Sequence, residues 1–206
     1  MDSTRKDLIK KVLIVEWVLV IYNIAEAIAS ILFGNKADSI ALVGFGLDSV
    51  IEVSAASMLI WRLSHKGDDE EAEKKEKKAL FFIGITFFCL AAYIAHESVF
   101  KLIRQEKPEA TLIGILITLL SVTIMPTLGL MKKKIAKQIG SRALEADAME
   151  TIICSYLSAT LLIGLGLNAL LGWWWADPVA GLVMVYFIIK EGKEAFSGEE
   201  CCNKCH

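Results

Sequence analysis

Six apolar runs of about 20 residues each constrain the fold of the chain more than any other feature of its sequence. A bilayer core about 30 Å thick needs roughly 20 apolar helical residues at 1.5 Å each. The candidate spans are residues 12–33, 40–61, 79–100, 110–131, 148–171 and, less clearly apolar, 174–192. Charged residues crowd into the short segments between them, which leaves no room for a soluble domain. The pattern predicts an all-α, polytopic membrane protein with six transmembrane helices.

Composition excludes two broad classes of function. The 206 residues are 55% apolar, with 22 Lys and Arg against 24 Asp and Glu and a mean hydropathy of +0.52. This apolar fraction excludes a disordered chain, and a net charge of -2 offers no basic surface for nucleic acid. We therefore expect the lipid bilayer as a partner, and no nucleic acid.

Basic residues predict the orientation, because short cytoplasmic loops retain Lys and Arg. With both termini inside, 18 of the 22 basic residues lie in cytoplasmic segments. The sequence thus predicts a multi-pass protein of the cell membrane with N-in, C-in topology. It divides into a six-helix transmembrane domain over residues 1–196 and a short cytoplasmic Cys-rich tail over residues 197–206.

Ionisable residues inside apolar spans are the strongest functional signal, since each is costly in hydrocarbon unless it faces a partner or a pathway. Asp48 and Glu52 lie in the second span, whereas Glu150 and Cys154 lie in the fifth. The i,i+4 spacing places each pair on one helix face, about 6 Å apart along the axis. The two spans are antiparallel, so a rise of about 1.5 Å per residue brings Glu52 level with Glu150 and the other two residues level with each other. Four candidate metal ligands converge near the midplane, although each acid alone also fits an interhelical hydrogen bond or a structural pair.

Two segments resemble a known family. They read ALVGFGLDSVIEVSAA (41–56) and SRALEADAMETIICSYLSATLLIGLGLNALLGWWWADPVAGL (141–182). They look like the second, fifth and sixth transmembrane helices of the cation diffusion facilitator family. The resemblance implies a six-span secondary transporter, not an enzyme, that exports divalent metals in exchange for protons and forms a homodimer. It covers the transmembrane domain only, and we expect the family's usual cytoplasmic C-terminal domain to be absent. The family's ligand positions fall on Asp48, Glu52, Glu150 and Cys154.

The chemistry of these ligands narrows the transported metal. Three carboxylates and a thiolate suit a borderline or soft divalent ion, which favours zinc or cadmium over magnesium and calcium. Iron, manganese and cobalt stay open. The metal is the substrate, and no organic cofactor is expected. Crowded acids in a low dielectric cannot all be ionised without a cation, so the metal-free site should hold protons that the metal expels.

Further polar residues are weaker candidates. Candidates for a proton or exit pathway are Glu26, His96, Glu97 and Asp147, the last at the inner mouth, with Asn23 and the weaker Glu16 on the first span. All except Asp147 also fit helix-interface caps, and the fourth span, residues 110–131, carries no ionisable residue.

The tail carries three thiols and an imidazole within its last six residues, a candidate metal-collecting group. An unstructured tail or an acylation site fits the same residues. They are Cys201, Cys202, Cys205 and His206.

The alternative function is a membrane metal sensor or adaptor that binds at the four-residue site without transport. An intramembrane enzyme is disfavoured, because no Ser/His, Cys/His or HExxH arrangement lies at one depth.

Overall fold

The computed structural model describes residues 3–64, 70–106, 108–109 and 111–197. Within these ranges the chain forms six helices and no strand, which confirms the all-α prediction. The helices are α1 (Ser3–Lys36), α2 (Ile40–Ser64), α3 (Glu70–Arg104), α4 (Leu112–Ile139), α5 (Arg142–Leu171) and α6 (Ala176–Ser197). The predicted tail from residue 198 onwards lies outside the described residues.

Five of the helices are long and apolar enough to cross a membrane. These segments are Asp7–Lys36, Ile40–Ser64, Gly84–Arg104, Leu112–Ile139 and Asp147–Leu171. The sixth helix, α6, does not meet that criterion, in line with the weaker apolar character of the run at 174–192. Large apolar side chains such as Ile21 and Leu116 are exposed on the outside of the bundle, where lipid would contact them.

The end of α4 differs from the prediction. The helix continues past the expected boundary at residue 131 and stops at Ile139. Its cap is Gly140, whose φ of 66° is a left-handed conformation that glycine adopts without strain. The Lys run at 132–134 is therefore helical rather than a loop. Residues 110–131 carry no ionisable side chain, as predicted, but the same apolar helix continues and includes Lys132.

Helix α2 is the centre of the bundle and contacts α1, α3, α5 and α6. Glycine allows close approach where helices that carry polar residues meet. A Cβ at Gly46 would lie 2.8 Å from Ile31 Cγ1 of α1. A Cβ at Gly129 would lie 2.7 Å from Ile152 Cγ1 of α5. The small residues thus bring α1 against α2, and α4 against α5.

A polar tie fixes the first turn of α2 against α6. The Asp177 carboxylate accepts hydrogen bonds from the Ser39 hydroxyl and from the Ile40 backbone N–H at 3.1 Å. Asp177 is fully buried, so these partners satisfy a carboxylate that would otherwise be costly. At the same end of the bundle, Lys101 of α3 forms an ion pair with Asp38.

Candidate metal centre

Helices α2 and α5 carry the four predicted metal ligands into the protein interior. Asp48 and Cys154 are each 1% exposed, and Glu52 is 7% exposed. Glu150 is half-buried, but its Oε1 atom is fully enclosed. Each pair lies on one face of its helix, as its spacing predicts.

The four side chains lie close to one another. The Glu52 carboxylate is within electrostatic range of Asp48, Glu150 and the Cys154 sulfur. Asp48 Oδ1 and Glu150 Oε1 have no hydrogen-bond partner. Among the described residues, however, no group of three or more His, Cys, Asp or Glu side chains has the geometry to hold a metal ion. The residues are neighbours, but they do not form a closed coordination shell.

Helix α1 packs beside the candidate ligands and contributes polar side chains to this region. Asn23 Nδ2 donates a hydrogen bond to Glu52 Oε2 at 3.1 Å. One turn further along, the Tyr22 hydroxyl donates to Glu26 Oε1 at 2.9 Å and Ser49 Oγ donates to Glu26 Oε2 at 3.0 Å. Glu26, predicted as a pathway residue, is buried within electrostatic range of Asp48.

A buried ion-pair cluster joins α1, α4 and α5. The Lys132 ammonium lies 2.9 Å from Glu16 Oε1, forms an ion pair with Asp147, and donates to Thr151 Oγ1 at 3.2 Å. Lys132 is 1% exposed and Glu16 is 0% exposed. Asp147, predicted at the inner mouth, is thus paired with Lys132. Glu16 is paired with the same lysine.

One small cavity connects this cluster to the candidate metal ligands. It lies between α1, α2, α4 and α5. Its polar lining comprises Glu16, Asn23, Glu52, Lys132, Asp147, Glu150 and Thr151. The cavity therefore reaches one acid from each predicted pair, whereas Asp48 and Cys154 are not part of its lining.

The other predicted pathway residues lie elsewhere. The His96 side chain is 62% exposed, and its Nδ1 is 3.3 Å from Glu97 Oε1. No hydrogen bond or ion pair described for either residue reaches the candidate ligands. Cys201, Cys202, Cys205 and His206 fall outside the described residues.

The sequence does not predict one residue of this region, Lys132. Lys132 was assigned to a loop, although Gly140 is the stop signal that marks the true helix end. Asn23 is among the polar pathway candidates of the first span, but its contact with Glu52 is visible only in the bundle.

Five helices able to cross a membrane and an apolar exterior define a multi-pass integral membrane protein, and the buried acids give it a candidate functional site. The model of the cation efflux transmembrane domain matches residues 16–197, and the chain belongs to this family of membrane transporters, which are not enzymes.

Relatives support this assignment. The chain is 24% identical over 186 residues to transmembrane protein 163 of Xenopus laevis, covering 89% of this chain and 65% of the relative. It is 26% identical over 177 residues to an uncharacterized transporter of Methanocaldococcus jannaschii, which covers 83% of this chain and 62% of that relative. It is 24% identical over 172 residues to the cation-efflux pump FieF of Klebsiella pneumoniae, which covers 76% of this chain and 55% of that relative. The chain thus spans 55% to 65% of the length of these relatives.

Proposed function

We propose that the chain exports divalent transition-metal ions from the cytoplasm, with zinc and cadmium ahead of manganese, iron and cobalt, and that Asp48, Glu52, Glu150 and Cys154 bind the ion. The main support is the burial of these side chains with carboxylate oxygens that have no hydrogen-bond partner. A buried carboxylate without a partner is costly, and a divalent cation removes that cost. Because the shell is not closed, the ion draws the two helices together as it binds.

Proton exchange follows from the same crowding. Asp48, Glu52 and Glu150 lie within electrostatic range of one another in the protein interior, so they cannot all be negatively charged unless a cation is bound. Protons therefore occupy the site in the absence of metal, and binding of the metal releases them. Protons from the far side then compete the ion off, which couples export to a proton gradient.

The cavity offers the route from the cytoplasm. Its far end, at Glu16, Lys132 and Asp147, lies near the beginning of α5 and the end of α4. The N-in, C-in prediction places this end on the cytoplasmic side. A metal ion entering there reaches Glu150 and Glu52 first.

A homodimer is part of the proposal and rests on the family resemblance. Crosslinking of the purified protein in lipid nanodiscs tests it. A protein that remains monomeric at all lipid ratios contradicts this element without affecting the site.

The deciding experiment is metal uptake into sealed proteoliposomes, with and without a pH gradient, across zinc, cadmium, manganese, iron and cobalt. We expect Asp48→Ala and Glu150→Ala each to reduce flux to background, because each removes a charged ligand. The control is Glu109→Ala, which removes an exposed carboxylate and should transport normally. Normal flux in either site variant contradicts the proposal. Saturable binding by the wild type with no flux would instead identify the sensor or adaptor.

A further inference from the structure

Asn23 of α1 has an unused side-chain oxygen and lines the same cavity as two of the candidate ligands, Glu52 and Glu150. Its side chain is 4% exposed, and its Nδ2 donates to Glu52 Oε2 at 3.1 Å. Its Oδ1 has no hydrogen-bond partner, and the residue lines the cavity together with Glu52 and Glu150. Buried amide oxygens are nearly always hydrogen-bonded, so this exception requires an explanation.

The orientation of the amide follows from its neighbour. When Glu52 binds a metal ion, its carboxylate is ionised and only accepts hydrogen bonds, whereas an amide has an NH2 donor and an oxygen acceptor. Asn23 therefore turns its donor towards Glu52 and leaves its oxygen without a partner.

A neighbouring acid of α1, Glu26, is already engaged by hydrogen-bond donors. Glu26 is three residues further along, and both of its oxygens accept hydrogen bonds, one from Tyr22 and one from Ser49. Asn23 thus differs from Glu26 in having a free acceptor. An amide oxygen is a good ligand for divalent cations that accept oxygen-rich shells.

We propose that Asn23 Oδ1 is a fifth ligand of the metal site, supplied by a helix outside the two that carry the other four. The inference rests on the proposed function and refines its substrate range. Zinc prefers four ligands, whereas manganese accepts larger, oxygen-rich shells. The fifth ligand extends the substrate range of the site from zinc and cadmium to manganese.

The test compares three variants of the purified full chain by equilibrium binding of Mn²⁺ and Zn²⁺. Asn23→Leu keeps the side-chain size but removes the ligand. It should weaken Mn²⁺ binding by about tenfold, the lower end of what loss of a supporting group costs metal sites, and Zn²⁺ binding by less. Asn23→Asp keeps an oxygen at the same place and should strengthen Mn²⁺ binding. The control, Ser30→Ala, removes another buried, unpartnered oxygen of α1 that does not line the cavity, and should change neither affinity.

A purely positioning role for Asn23 makes the opposite prediction for the aspartate. If the amide only holds Glu52 in place, Asn23→Asp loses the donated hydrogen bond and sets two carboxylates against each other. Binding of every ion would then weaken, and this result overturns the inference. The aspartate variant decides the question even where Asn23→Leu fails to fold.

The absorption spectrum of bound Co²⁺ provides a second readout. Its visible bands are intense in tetrahedral sites and weak in sites with more ligands. Asn23→Leu should therefore intensify them relative to wild type, and an unchanged spectrum contradicts a fifth ligand.

The outcome also separates the inference from the proposed function. If Asp48→Ala binds Zn²⁺ as tightly as wild type, the proposed site itself is wrong. If binding needs Asp48 but Asn23→Leu has wild-type affinity for both ions, only the role of Asn23 is wrong.

Discussion

Lys132 and Glu16 are 116 residues apart in the chain, yet the lysine Nζ lies 2.9 Å from the glutamate Oε1, with both side chains fully enclosed. Asp147 completes the cluster from α5. Two carboxylates share one ammonium in a region where an unpaired charge is very costly. The lysine therefore maintains the packing of three helices at the end of the cavity.

Removing the ammonium should destabilise the protein strongly. We expect Lys132→Met to lower the free energy of unfolding by about 3–5 kcal/mol, because it leaves Glu16 and Asp147 buried without a counterion. Chemical unfolding in detergent measures this change. Lys134→Met, which alters an exposed lysine of the same helix, is the control and should be close to wild type.

A compensating variant tests the physical cause of this loss. Adding Glu16→Gln and Asp147→Asn to Lys132→Met removes all three charges and should recover much of the lost stability. If Lys132→Met unfolds like the control, or if the triple variant recovers nothing, the ion pairs are not what holds the helices.

Cys154 should determine the preference between cadmium and zinc. A thiolate favours soft ions over harder ones, and the side chain is buried within electrostatic range of Glu52. We expect Cys154→Asp to remain a working exporter whose cadmium-to-zinc ratio falls, because an oxygen ligand replaces the sulfur. Cys154→Ala should lose affinity for every ion. Competition uptake assays in proteoliposomes give the ratio, and an unchanged ratio in Cys154→Asp means that the sulfur does not contact the metal.

Gly129 should be essential to the packing of α4 on α5. A Cβ there would lie 2.7 Å from Ile152 Cγ1 and 3.3 Å from the Ala148 carbonyl oxygen. We expect Gly129→Ala to lower the thermal unfolding temperature, because neither neighbour is the mobile end of a long side chain. Gly166→Ala, also inside a helix but with nothing within 4 Å of the added Cβ, is the matched control. It should be neutral or stabilising by up to about 1 kcal/mol, and equal behaviour of the two variants contradicts the packing argument.

The sequence predicted the helices well, because apolar run length is a local property. It also predicted that Asp48 and Glu52 would share a helix face, since that follows from i,i+4 spacing alone. The predicted end of α4 was too early, because three consecutive lysines are typical of a cytoplasmic loop. Lys132 is nevertheless stable inside the helix, because buried carboxylates pair with its charge.

Contacts between helices were harder to predict than contacts along them. Helical periodicity identifies the face on which Asn23 lies but does not identify the partner that packs against it. Only the bundle reveals that Asn23 meets Glu52 and that Glu26 meets Ser49. The two pairs of candidate ligands on α2 and α5, and the polar residues of α1, were therefore predictable, whereas the partners of Asn23 and Glu26 were not.

The buried tie at Asp177 has a consequence for how the bundle can move. Because Asp177 binds both Ser39 and the first turn of α2, the beginnings of α2 and α6 cannot separate without exposing a carboxylate to an apolar environment. If the bundle rocks during transport, this junction would act as a fulcrum. The opposite end of α2, on the side of Glu16, Lys132 and Asp147, would then move most while the contact at Asp177 stays closed.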